Sequence, residues 1–100
     1  PSAPVLTFTK ASLRVDYTAA IDPDTSAEVP TYYIYLYAGL PSTYYQARDI
    51  DNVLNAPTQR TFYLPGLAGA TGTYTVVLTG YDGYRESAVT DQNKITFTLP

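Results

Sequence analysis

GTYTVVLTGY, residues 72–81, is an uninterrupted run of the residue types that favour β-strands. Tyr, Thr and Val make up most of it, and β-branched and aromatic side chains suit a pleated, half-buried surface. Because successive side chains of a strand point to opposite faces, Tyr74, Val76, Leu78 and Gly80 share one face, which we predict to be buried. The opposite face is aromatic and β-branched, and it carries Thr73, Thr75, Val77, Thr79 and Tyr81.

Similar but shorter runs lie on both sides of residues 72–81. Residues 31–38 are the richest in β-forming types, and residues 94–99 alternate apolar with polar side chains. Turn signals such as Asp22-Pro23-Asp24 and Asp82-Gly83 separate the runs. We expect strands at residues 6–9, 13–18, 31–38, 43–48, 61–64, 72–81 and 94–99, a loop at 21–30 and a polar connection at 49–58.

Short strands separated by turns predict an all-β fold, a seven-stranded antiparallel β-sandwich of the immunoglobulin-like kind. A chain of 100 residues fits one domain, residues 1–100, and an apolar content of 45% supports a folded core. Period-two alternation places one set of side chains between the two layers of the sandwich. This core set is Leu13, Val15, Tyr17, Ile34, Leu36, Tyr74, Val76 and Leu78.

The charge pattern and the missing residue types argue against several classes of function. The net charge is −3 and the charges are scattered, so no basic patch indicates nucleic-acid binding. Apolar runs fall far short of the roughly 18 residues that span a membrane, so we expect no membrane insertion. The chain has no Cys and no His, which removes the cysteine nucleophile, the Ser–His pair and the commonest metal ligand. We expect no enzymatic activity and no cofactor.

Acidic residues are the remaining candidates for a metal site. Asp22, Asp24 and Glu28 share one loop, and Asp49 and Asp51 share another. A Ca²⁺ site needs six to eight converging oxygens, and the first loop lacks the downstream Gly and Glu of a calcium-binding hand. We therefore interpret these residues as turn-forming and solvated, and we expect no metal.

Asp16 is a candidate for acid–base chemistry, because glycosidases use a pair of carboxylates. Such a pair needs a cleft, whereas Asp16 falls on a predicted strand face opposite Arg14 and Arg60. This arrangement favours a surface ion pair.

Several motifs resemble, in their order, those of fibronectin type III domains. Tyr17 stands where that family usually has Trp, and one spacer residue is missing before Tyr74. The resemblance covers nearly the whole chain and implies fibronectin type III topology. The motifs are Pro4-x-Leu6, Leu13-x-Val15-x-Tyr17, Tyr32-x-Ile34-x-Leu36, Phe62-x-Leu64-x-x-Leu67, Gly72-Thr73-Tyr74-x-Val76-x-Leu78-x-Gly80, and Gly83 through Glu86-Ser87.

Tyr74 is the position that the resemblance assigns to a structural tyrosine corner. A buried phenol needs a partner for its hydroxyl, and a backbone group a few residues upstream can supply one. The alternative is an ordinary half-buried tyrosine.

Eleven tyrosines are the unusual feature of the composition. Period-two alternation puts Tyr33, Tyr35 and Tyr37 on the outer face of residues 31–38, next to Tyr81 in the pairing that the family implies. We predict an exposed tyrosine face there, and we add Tyr84 as a contact residue. Such a face stacks on sugars or on another protein. In the alternative interpretation, the tyrosines only stabilise the sheet through cross-strand pairs.

Our leading hypothesis is a spacer or interaction module of a larger secreted or cell-surface protein, of bacterial origin. The absence of Cys and of Asn-x-Ser/Thr favours a bacterial source, and prolines at both ends suggest a piece with stiff linkers to neighbouring domains. The partners would be those domains or another protein. The alternative is a module that binds carbohydrate or another ligand through the tyrosine face or the loops at 21–31, 40–43 and 82–86.

Overall fold

A computed structural model describes residues 1–39, 52–55, 60–64 and 67–100. The described residues form β-strands and one short 3-10 turn, Lys10–Ser12, and they confirm the prediction of an all-β chain. The strands are β1 (Leu6–Thr9), β2 (Arg14–Tyr17), β3 (Ile21–Asp22), β4 (Ala27–Glu28), β5 (Thr31–Ala38), β6 (Asn52–Asn55), β7 (Thr61–Tyr63), β8 (Gly72–Tyr81) and β9 (Lys94–Leu99).

The strands form three antiparallel sheets. One sheet has the order β1-β2-β7, a second has the order β6-β5-β8-β9, and β3 and β4 make a two-residue ladder of their own. In the four-stranded sheet Ile34 lies opposite Leu78, and Tyr35 lies opposite Val77. Residues that face each other across a ladder share a face, so this register gives β5 and β8 a common core face and a common outer face.

The core lies between the three-stranded and the four-stranded sheet. Tyr17 of β2 meets Tyr32 of β5 edge to face, with 5.1 Å between ring centroids. Phe8 of β1 stacks on Phe97 of β9 at 4.3 Å. The core set predicted from alternation is confirmed: five of its members are buried, and Leu13, Leu36 and Tyr74 pack against them while partly exposed.

Four details of the prediction need correction or fall outside the description. The predicted loop at 21–30 contains the β3–β4 ladder, and the predicted polar connection at 49–58 contains strand β6. β6 forms because its backbone pairs with the free edge of β5, which polar residues can do as well as apolar ones. Leu13 has a φ of 54° and ends the 3-10 turn, so β2 starts one residue later than predicted. The strand expected at 43–48 lies outside the described residues.

Gly80, on the core face of β8, packs directly against Ala20 and Val29, which flank the β3–β4 ladder. A Cβ placed on Gly80 would lie 2.6 Å from the Cβ of Ala20 and 3.2 Å from a methyl of Val29, both of which are fully buried. A Cβ cannot swing aside as the tip of a long side chain can, so only glycine fits here.

Gly80→Ala is therefore expected to lower the free energy of unfolding by about 1–3 kcal/mol, the usual cost of overpacking a core. Urea denaturation measures it. The double variant Ala20→Gly/Gly80→Ala removes the nearer of the two clashing groups and should recover part of the loss. An unchanged midpoint for Gly80→Ala would contradict the close packing of β8 against residues 20 and 29.

Candidate functional site

The outer face of the four-stranded sheet is covered rather than open. Tyr35 is 1% exposed, and Val77 opposite it is equally buried. The prediction of an exposed tyrosine stripe is therefore wrong for Tyr35, and Tyr33 and Tyr37 are half-buried. On this face Tyr35 contacts the β8–β9 connection, residues 82–93, because its hydroxyl donates to Glu86.

Two buried polar residues fasten this connection to β8. The backbone N–H of Gly80 donates to Ser87 Oγ at 2.9 Å, and the N–H of Ser87 donates back to the carbonyl oxygen of Gly80 at 2.8 Å. Asn93 is fully buried, and its amide nitrogen donates to the carbonyl oxygens of Leu78 and Ala88, each at 2.9 Å. These bonds tie the connection to β8 at Gly80 and at Leu78.

The connection begins with the turn that Asp82-Gly83 predicts. Asp82 Oδ1 accepts hydrogen bonds from the backbone N–H groups of Tyr84 and Arg85, at 2.8 and 2.7 Å. The bond from Arg85 contributes most, and together these bonds hold the pKa of Asp82 below its ordinary value. A backbone bridge between Tyr81 and Glu86 closes the turn, and Tyr84 stands at its tip with 92% of its surface exposed.

A cavity of about 450 Å³ lies between the outer face and the connection. Its polar centre is Glu86, whose Oε2 accepts hydrogen bonds from the hydroxyls of Tyr35 and Thr79. Burial raises the pKa of Tyr35 well above the usual value for a phenol, and donation to Glu86 raises it further. Tyr35 therefore keeps its proton and acts as a donor. The lining consists of Tyr35, Tyr37, Val77, Thr79, Glu86, Ser87, Ala88 and Val89.

The five tyrosines predicted as contact residues separate into three groups. Tyr35 and Tyr37 line the cavity, with nearly parallel rings whose centroids are 6.4 Å apart. Tyr33 stacks on Tyr81 at 5.1 Å, and the Tyr81 hydroxyl donates to the carbonyl oxygen of Gly83. Tyr84 stands apart from both pairs in the turn. The structure therefore brings two of the five together at the cavity, and it adds Thr79 and Glu86, which the sequence analysis did not select as site residues.

Glu86 could have been found from the turn at Asp82-Gly83. A tight antiparallel turn pairs the residue before it with the residue after it, which places residue 86 beside the end of β8. A carboxylate at that position, next to a strand whose outer face carries hydroxyl groups, is the signal that was available.

A second polar cluster closes one end of the core. Arg60 holds Glu28 with two hydrogen bonds, at 2.7 and 2.8 Å, and the Tyr32 hydroxyl donates to the same carboxylate at 2.6 Å. Burial raises the pKa of Glu28, but the bonds from Arg60 and Tyr32 outweigh it and leave the pKa below its ordinary value. The interpretation of Glu28 as a solvated loop residue is therefore wrong, because a cation and a phenol reach it from outside its loop.

Asp16 forms the predicted surface ion pair with only one of the two arginines predicted to lie opposite it. Arg14 contacts Asp16 at 3.0 Å, while Arg60 pairs with Glu28 instead. Thr61 also donates to Asp16, at 2.6 Å, and the bonds from Thr61 and Arg14 lower the pKa of Asp16. Asp22 makes the predicted turn, because its Oδ1 accepts the N–H of Asp24 at 2.9 Å.

Within the described ranges, no group of three or more Asp, Glu, His or Cys side chains is placed to hold a metal ion. Asp49 and Asp51 lie outside these ranges. In the part of the chain that the structure describes, no helix has the length and apolar character needed to cross a membrane.

Tyr74 is half-buried, and its hydroxyl donates to the carbonyl oxygen of Thr71 at 3.2 Å. This is a bond from the phenol to a backbone group three residues upstream, the kind of contact that a tyrosine corner makes. Its structural importance stays a prediction.

Comparisons of the chain with protein-family models, curated proteins and solved structures give no match. The assignment of function therefore depends on the residues themselves.

The cluster of Glu28, Arg60 and Tyr32 is expected to make the free energy of unfolding depend on pH. A carboxylate whose folded-state pKa is lowered stabilises the fold above its unfolded pKa, about 4.5 for Glu, and this contribution is lost as the pH falls through the folded value. Glu28→Gln should lower the urea midpoint at pH 7. The difference in urea midpoint between wild type and variant should be smaller at pH 3. Asp24→Asn, at an exposed position, serves as the control. An equal difference in urea midpoint at both pH values would contradict this contribution of Glu28 to stability.

Tyr74→Phe removes the hydroxyl and its hydrogen bond but keeps the aromatic ring. We expect the free energy of unfolding to fall by about 1 kcal/mol, the usual net contribution of a hydrogen bond. Tyr63→Phe, at a ring that is 55% exposed on β7, is the matched control and should leave stability unchanged. Equal denaturation curves for Tyr74→Phe and wild type would remove the tyrosine-corner assignment.

Proposed function

We propose that the chain is a non-catalytic module with a fibronectin type III-like sandwich, which spaces or contacts other parts of a larger protein. The observation that carries this proposal is the strand order. Apart from the two-residue strands β3 and β4, seven strands are described, three in one sheet and four in the other, with sequence neighbours β2 and β5 in different sheets. Such crossing between two antiparallel sheets supports the topology that the sequence motifs imply.

The state of the acidic groups supports the non-catalytic part of the proposal. Five carboxylates in the described ranges are half-buried, and each accepts at least one hydrogen bond from the protein itself. A general acid or base must instead direct its reactive oxygen at a substrate. These carboxylates brace turns, strands and tyrosines. They are Asp16, Asp22, Glu28, Asp82 and Glu86.

The turn at the start of the β8–β9 connection supports a contact function. Tyr84 is 92% exposed, although its backbone is fixed by Asp82. An aromatic ring on a rigid turn loses little conformational freedom when a partner covers it, and tyrosine is enriched at protein interfaces. Tyr84 is thus the described residue best suited to contact a neighbouring domain or protein. The proposal includes secretion or display at a cell surface, as the family resemblance implies, and a bacterial source, which the absence of Cys and of Asn-x-Ser/Thr favours.

This proposal predicts a protein surface next to Tyr84 in the parent protein. A photo-crosslinking amino acid at position 84 should give a crosslink to a neighbouring domain or to a partner, which mass spectrometry locates. The same amino acid at position 63, on the other sheet, is the control and should give none. Equal or absent crosslinking at the two positions would contradict the contact function and favour a pure spacer.

A second candidate function, the binding of a small ligand, is favoured by one specific observation. The cavity beside Tyr35 is of the size typical of small-molecule sites, and it combines apolar walls with one fixed carboxylate. In this candidate function the predicted exposed tyrosine face is replaced by a pocket whose lining includes Tyr35 and Tyr37.

A further inference from the structure

We propose that the cavity at Glu86 binds a small organic cation, a primary or methylated ammonium group. This inference rests on the second candidate function, the binding of a small ligand, and it names the chemical class of that ligand. It does not depend on whether Tyr84 contacts a neighbouring domain.

The charge of the lining points to a cation. Glu86 is the one carboxylate among the described lining residues, and no Lys or Arg is among them. Both recorded hydrogen bonds reach Oε2, from Tyr35 and Thr79, and they orient the carboxylate with Oε1 as a further acceptor. Among the described lining residues no positive group offsets this half-buried negative charge, so a cationic ligand gains more here than at an exposed carboxylate.

The walls fit the substituents of an ammonium group. Tyr37 contributes an aromatic ring, Ala88 and Val89 contribute accessible apolar surface, and Tyr35 and Val77, each 1% exposed, lie behind them. Aromatic rings attract cations through the negative charge of their faces, and apolar walls accept methyl groups without unsatisfied hydrogen bonds. Glu86 is the one charged group among the described lining residues, which matches a monovalent cation.

Other ligand classes fit the same lining less well. A sugar presents several hydroxyls that each need a partner, but Tyr35 and Thr79 already donate to Glu86. Ser87 Oγ is likewise engaged, with the N–H of Gly80. A neutral apolar ligand would cover Oε1 of Glu86 without offering it a donor, which removes a charged oxygen from solvent without compensation. An anion would meet the carboxylate directly.

The test titrates the chain with choline and with 3,3-dimethylbutan-1-ol, the neutral molecule in which carbon replaces the choline nitrogen. Side-chain NMR signals of Tyr35, Tyr37 and the methyl groups of Val77 and Val89 report on the cavity. We expect choline to shift these signals with an affinity at least tenfold higher than that of the neutral isostere. Equal affinities, or no shift by choline up to 50-fold molar excess over protein at millimolar protein concentration, would overturn the proposal. A shift by glucose instead of choline would overturn it too.

Glu86→Gln provides the matched variant, because glutamine keeps the size of the side chain and an oxygen that accepts from Tyr35 and Thr79 but has no charge. Choline binding should fall at least tenfold, while Asp91→Asn, at an exposed acid outside the cavity, should bind like wild type. Undiminished binding by Glu86→Gln would contradict the proposal. If this variant fails to fold, the comparison of choline with its isostere on the wild-type chain still decides the question. Crosslinking at position 84 is independent of all these outcomes, so failure here is distinguishable from failure of the contact function.

Discussion

The buried amide of Asn93 is the interaction on which the outer face of the protein depends. Its nitrogen donates to the carbonyl oxygens of Leu78 and Ala88, and its oxygen accepts the N–H and the hydroxyl of Thr90. All four hydrogen-bonding positions of the amide are thus used by one short segment and one strand. A buried amide that loses a partner costs about 1–3 kcal/mol. Other conformations of the β8–β9 connection would lose such partners, so the network favours one conformation. Residues 86–89 of this connection line the cavity.

Strand β5 shows how the fold buries tyrosines on both of its faces. On the core face, the hydroxyl of Tyr32 accepts the N–H of Ala20 and donates to Glu28. On the outer face, the hydroxyl of Tyr35 donates to Glu86. Burying a phenol without a partner would be unfavourable, and in each case a glutamate supplies the acceptor, Glu28 from β4 and Glu86 from the β8–β9 connection. The two glutamates therefore allow Tyr32 and Tyr35 to be buried on opposite faces of one strand.

Much of the fold could be predicted from the residues alone, because period-two alternation is a local property. It assigned Val15, Ile34 and Leu78 to one core, and it assigned Tyr33, Tyr35 and Tyr37 to the opposite face of β5. The tight turn at Asp82-Gly83 was predictable for the same reason, since Asp at its first position bonds to backbone groups two and three residues onward.

The covering of the outer face could not be predicted in this way. Alternation says which side of a sheet a residue occupies, but not whether an irregular segment returns to cover that side. The connection that contacts Tyr35 is held by Ser87 and Asn93, whose partners lie 7 and 15 residues away along the chain. The pairing of Arg60 with Glu28 spans 32 residues, so no local pattern indicates it. Alternation could therefore place Tyr35 and Tyr37 on the outer face of β5, but it could not place Glu86 beside them.

One connection therefore contains both candidate functional features of the chain. Its turn presents Tyr84 to the surroundings, and two residues later Glu86 enters the cavity with its carboxylate fixed by two hydroxyls. The bridge between Tyr81 and Glu86 joins the two features rigidly, since it closes the turn and sets the position of Glu86 at once. The proposed contact residue and the carboxylate of the proposed ligand site thus lie within one short turn, whose backbone is held by Asp82 and by this bridge.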